Sequence, residues 1–79
     1  MKVRIDVTLK PGILDPQGEA VRNALTTFGF TGIRSVRIGK LIEIELAESE
    51  PGEARRIVTD MCEQLLANAV IEDFAIRAD

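Results

Sequence analysis

The chain has 79 residues, with 10 Lys and Arg against 13 Asp and Glu and a formal net charge of −3, which admits one small acidic domain over residues 1–79 and excludes two. Leu, Ile, Val and Phe contribute 25 residues, enough to fold, yet a core this small rarely yields more than ~3–5 kcal/mol of net stability without a disulfide, a metal or an oligomer. Cys62 is the single cysteine and there is no histidine, so an intrachain disulfide and a structural zinc site are excluded and oligomerisation is the expected aid.

The start, Met1-Lys2-Val3-Arg4, lacks the apolar run of a signal peptide, and the expected compartment is the cytoplasm. Val3, Ile5, Val7 and Leu9 then alternate with Lys2, Arg4, Asp6, Thr8 and Lys10, the pattern of a half-buried strand. Pro11-Gly12 stops it. Asp15 reads as an N-cap with Pro16 at the first helical position, and Ala20, Val21, Ala24, Leu25 and Phe28 follow at helical spacing up to a stop at Gly29. The spacing predicts a first helix from about Pro16 to Phe28.

From Ser35 to Leu46 the even positions Val36, Ile38, Ile42, Ile44 and Leu46 are apolar, with Lys40 the exception. A two-residue hairpin turn at Gly39-Lys40 would send Ile42 and Ile44 to the face opposite Val36, so the parity favours one long strand bent or bulged at Gly39 over a tight hairpin, although a longer or irregular loop would restore the register. Ser49-Glu50-Pro51 opens a second helix, with the Ser49 hydroxyl as the expected cap. Its apolar stripe is Ala54, Ile57, Val58, Met61, Cys62, Leu65 and Leu66. Leu65 is accordingly expected in the core, with Leu65→Ala costing roughly 2–5 kcal/mol. Asn68 suits a left-handed stop, and Val70 to Arg77 reads as a last strand. The order strand, helix, long strand, helix, strand predicts an α+β two-layer sandwich: a mainly antiparallel sheet with two helices on one face, completed by oligomerisation.

No run approaches the ~18–20 apolar residues of a membrane span. An acidic chain without an aromatic-interleaved basic patch is not expected to bind nucleic acid. Glu43 and Glu45 share a strand face, but alternate charges on an outward face read as solvated surface rather than an acid–base pair. Cys62 lies on an apolar stripe without a histidine to activate it and reads as core. The six glycines form neither a phosphate loop nor a dinucleotide fingerprint. Lys10-Pro11-Gly12, near a helix N-terminus, admits an anion reading but is ordinary turn chemistry. Arg34, Arg37 and Lys40 form a basic cluster, and Glu43, Glu45, Glu48, Glu50 and Glu53 an acidic run, a polarity that suits an oriented protein contact or simply a soluble surface. No catalytic, cofactor-binding or metal-ligating set emerges, which points to a partner protein.

The segment Val7-Thr8-Leu9-Lys10-Pro11-Gly12-Ile13-Leu14-Asp15-Pro16-Gln17-Gly18 resembles the PurS family, the small subunit of phosphoribosylformylglycinamidine synthase. So do Val36-Arg37-Ile38-Gly39-Lys40-Leu41-Ile42-Glu43, Cys62-Glu63-Gln64-Leu65-Leu66-Ala67-Asn68 and Val70-Ile71-Glu72-Asp73-Phe74. Ala69 and Phe74 stand where the family commonly has proline and often tyrosine. The resemblance implies a required but non-catalytic subunit of an ATP-dependent carbon–nitrogen ligase in de novo purine synthesis. It would join a glutaminase (PurQ-like) to a large synthetase (PurL-like), in a complex that uses ATP, magnesium and glutamine, none bound by this chain. The expected self-association is a homodimer or a dimer of dimers. Lys10, Pro11, Gly12, Arg37, Gly39 and Lys40 are the matching positions least explained by packing and are expected at the partner interface. The alternative is a regulatory domain that binds a small ligand between two α+β subunits, to be told apart by thermal stabilisation with a metabolite in the absence of such partners.

Overall fold

The computed structural model describes residues 1–78. Five elements follow in the expected order: β1 (Lys2–Leu9), α1 (Pro16–Thr27), β2 (Lys40–Glu45), α2 (Pro51–Met61) and β3 (Glu72–Ala78). The strands form one antiparallel sheet in the order β2-β1-β3. Alternation in β1 fixes the register: Ile5 stands opposite Ile42 on one side and Ile76 on the other, and Val3 opposite Ile44. The Met1 ammonium donates to the Leu46 carbonyl at 2.7 Å and tightens the free end of the β1–β2 pair.

Helix α2 covers the Val3–Ile5–Val7 face with Ala54, Val58 and Cys62, all buried. Its cap differs from expectation. Pro51 occupies the first helical position, so the cap falls on Glu50, whose carboxylate accepts from the backbone N–H of Gly52 at 3.1 Å and of Glu53 at 2.6 Å; Ser49 does not cap. The end of the helix differs as well. Residues Cys62–Leu66 widen into a π-helical turn, closed by a hydrogen bond from Ala67 N–H to the Cys62 carbonyl at 3.1 Å. The extra residue in that turn rotates the stripe: Ala67 comes into the core, and Leu65, expected there, is 82% exposed. Asn68 keeps a negative φ, and its side-chain oxygen accepts from Val70 N–H at 3.0 Å, an Asx turn in place of the left-handed stop.

The largest departure lies between α1 and β2. Residues 30–39, which include Ser35–Gly39 from the start of the expected long strand, run without a ladder: β1 pairs with β2 only as far as Val7–Lys40, and its last two residues, Thr8 and Leu9, pair with β3 alone. Helix α1 ends where read, with Phe28 as C-cap and Gly29 at φ +98°, but only α2 lies on the sheet. No α1 residue packs against the core, and Phe28 and Phe30 at the tip are 77% and 57% exposed. Helix α1 and residues 28–39 therefore project as an arm. The chain is 48 Å long with a radius of gyration of 15.9 Å, against about 12 Å for a compact chain of this length.

Candidate functional site

Lys10, Pro11, Gly12, Arg37, Gly39 and Lys40, the residues expected at the partner interface, lie at the end of the sheet where the arm is rooted. Lys10 leaves β1 with its N–H donating to the Ile71 carbonyl at 2.8 Å, and its carbonyl accepts from Ile13 N–H at 3.1 Å. That bond closes the turn through Pro11 and Gly12; Gly12 has φ +87°, which a side chain would resist. The Arg37 guanidinium donates to the carbonyls of Leu9 and Lys10. A Cβ on Gly39 would stand 2.6 Å from the Val7 carbonyl oxygen. Lys40 Nζ lies 3.8 Å from Glu72 Oε2 at the sheet end, the lysine exposed and the glutamate mostly covered. Arg37 and Lys40 thus have polar partners within the chain, and at Gly39 the backbone of β1 leaves no room for a side chain.

Asp15 is the residue that sequence reasoning valued too little. Its Oδ1 accepts from Gly18 N–H at 2.8 Å, the cap expected for α1, while Oδ2 accepts from Ile38 N–H at 2.8 Å, 23 residues away. Hydrogen bonds from Ile38 and Gly18, aided by the Arg37 charge, hold its carboxyl below the ordinary value of 3.8. Because the folded value is depressed, the contribution is fully present above that ordinary value and is lost as pH falls through the folded value. The amide resonances of Gly18 and Ile38 should therefore titrate together below pH 3.8 in a two-dimensional NMR series; independent behaviour would mean that one carboxylate does not serve both. Gly18 carried the available sequence signal: glycine in the first turn of a helix costs stability and implies a close approach. Here a Cβ would overlap the Val36 carbonyl oxygen.

Around this root the surface is apolar and cationic by turns. Leu14 and Ile13 are exposed beside Arg34, Ser35 and Val36 in one open cleft. Arg22 crosses from α1, donating to the Ile33 carbonyl at 3.2 Å and to Glu19 at 3.1 Å. On the sheet, Glu43 pairs with Lys2 at 3.4 Å, and Asp6 with Arg77 at 2.9 Å. Burial pushes the Cys62 thiol up, away from thiolate chemistry. Among the described residues no group of three or more His, Cys, Asp or Glu is placed to hold a metal ion, and no helix is long and apolar enough to cross a membrane. The arrangement is suited to holding segments and surfaces in place.

Comparison with known proteins returns a single family. The family model described as PurS, phosphoribosylformylglycinamidine (FGAM) synthase, matches residues 2–79. Subunit PurS of phosphoribosylformylglycinamidine synthase from Synechocystis is 48% identical over 94% of this chain and 74% of its own length. The Bacillus subtilis subunit is 45% identical over 99% and 92%. Among solved structures, Methanocaldococcus jannaschii PurS superposes with a TM-score of 0.87 at 36% identity, covering 96% of this chain and 92% of that one. A chain in the structure of PurLQS from Thermotoga maritima does so with a TM-score of 0.87 at 33% identity, covering 96% and 93%.

Proposed function

The chain belongs to the PurS family of phosphoribosylformylglycinamidine synthase subunits, and from that premise we propose that it holds a glutaminase and an ATP-dependent synthetase together and performs neither reaction itself. The enzyme is a ligase of purine biosynthesis. Its glutaminase partner releases ammonia from glutamine, and its synthetase partner spends ATP, with magnesium, to install that nitrogen on formylglycinamide ribonucleotide. Ammonia that escapes into bulk water is protonated and no longer nucleophilic, so the two active sites must be joined. A third body that fixes their separation meets that requirement without chemistry of its own.

The observation that carries this reading is the arm. A chain whose core is a three-stranded sheet and one helix nevertheless extends a second helix, with Val21, Phe28 and Phe30 exposed on it and at its tip, and an unpaired segment into solvent, a surface made to be covered. The first occupant is a second copy. It supplies free strand edges of the kind that residues 30–39 lack, and the basic Arg34–Arg37 stretch followed by the acidic run from Glu43 to Glu53 places opposite signs together when two copies run antiparallel. A homodimer, or a dimer of dimers, then presents the Lys10-Pro11-Gly12 turn to the other subunits.

Mixing the purified chain with its glutaminase and synthetase counterparts tests the proposal. Expected are an assembly containing all three by native mass spectrometry, glutamine-dependent product that requires this chain, and a dimer or larger by sedimentation of the chain alone at micromolar concentration. Glu43→Gln should leave assembly and turnover intact and change stability by less than about 0.5 kcal/mol. Glutamine-dependent turnover without this chain, or its loss on Glu43→Gln with assembly intact, would count against a purely bridging role.

A further inference from the structure

We infer that the crossing of residues 36–39 over the two segments at the root of α1 is a clasp that fixes the angle of the arm to the sheet, with Asp15 and Gly18 as positioning residues for the assembled enzyme. The inference rests on the reading of the chain as a bridge.

Since no α1 residue packs on the core, the direction of the arm is set where its two strands of backbone leave the sheet. Four constraints converge there. Asp15 spends one oxygen on Gly18 N–H and the other on Ile38 N–H. Arg37 straps residues 36–39 to the end of β1 through the Leu9 and Lys10 carbonyls. Gly18 admits the Val36 carbonyl, and Gly39 lies against the Val7 carbonyl. Neither Gly18 nor Gly39 has a positive φ, so each is needed for room and not for backbone freedom. A cap alone would use one oxygen of Asp15; the second reaches across the chain. Such a joint matters to a bridge because a small misplacement of joined active sites is expensive in rate.

The test places nitroxide labels at Asn23→Cys on α1 and Asp73→Cys on β3, leaving buried Cys62 unlabelled, and dilutes labelled chains into unlabelled protein so that only distances within one chain are read. Gly18→Ala raises helix propensity, so retained or increased helicity together with a displaced or broadened distance distribution is the expected result. Asp15→Asn caps as well as Asp but brings one acceptor oxygen. It should reproduce the displacement, and would be silent if the cap were the whole role. In the three-subunit enzyme both variants should lower glutamine-dependent turnover by about 10- to 100-fold, with turnover supported by added ammonium unchanged. Unaltered distances in both variants, or altered distances with undiminished glutamine-dependent turnover, overturn the inference. Failure of the unmodified chain to assemble with the other subunits would instead overturn the bridging function, while the distances still decide whether the clasp holds the arm.

Discussion

Ile5→Ala should lower the stability of the chain by about 2–5 kcal/mol, whereas Leu65→Ala should change it by no more than about 0.5 kcal/mol. Ile5 is completely buried at the centre of the middle strand, flanked by Ile42 and Ile76. Truncating it removes three carbons from a site whose strand neighbours cannot collapse inward without breaking their ladders. The loss is of the order of the whole ~3–5 kcal/mol that a core of this size supplies, so the variant chain should be largely unfolded without its partners. Leu65, rotated out by the π-helical turn, has no packing of that kind to lose within the chain. Urea unfolding at one fixed chain concentration makes the comparison, because self-association adds to apparent stability by mass action. A larger cost at Leu65 than at Ile5 would mean that oligomerisation covers Leu65.

The reason sequence succeeded for one residue and failed for the other is physical. Alternation in β1 has a period of two and a single buried face, so a slip of one residue would expose every apolar side chain, and both neighbouring strands inherit the register. The parity of Ile42 and Ile44 was legible for the same reason. The stripe of α2 was legible as far as Cys62, but a π-helical turn changes the period within a run of Cys-Glu-Gln-Leu-Leu that carries no proline or glycine to mark it. The Glu50 cap was implicit in Pro51, since proline at the first helical position puts the cap one residue before it. The length of β2 was not available from its own residues: Val36 and Ile38 alternate as a strand should, yet a ladder needs a partner, and beyond Val7 the residues of β1 pair with β3 alone. The root of the arm was half legible, with Asp15 as a cap and Gly12 as a turn, but its defining links run 23 to 28 residues along the chain and leave no periodic trace.

The arm itself sets the largest expected effect on assembly. Val21→Glu and Phe28→Glu together should dissociate the homo-oligomer while leaving the sheet folded. Both residues are exposed on the arm within one chain and contribute nothing to the core around Ile5 and Val58, so the isolated fold has no reason to fail. If the arm lies in a two-fold interface, each substitution occurs twice per dimer. Placing a carboxylate in an apolar contact without a partner costs several kcal/mol per ion after relaxation. At about 3 kcal/mol per interface copy and 1.4 kcal/mol per factor of ten, even one such residue per chain weakens the dimer by about four powers of ten. Sedimentation should show monomer at concentrations where the unmodified chain is associated, with far-UV circular dichroism retained. Since a monomer presents one arm and half of the proposed bridging surface, glutamine-dependent turnover of the three-subunit enzyme should fall with association, and ammonium-supported turnover by the synthetase should fall less. Persistence of the dimer in the double variant would move self-association to another face, with the free edge of β3 as the next surface to test, and would leave the arm to one of the other two subunits.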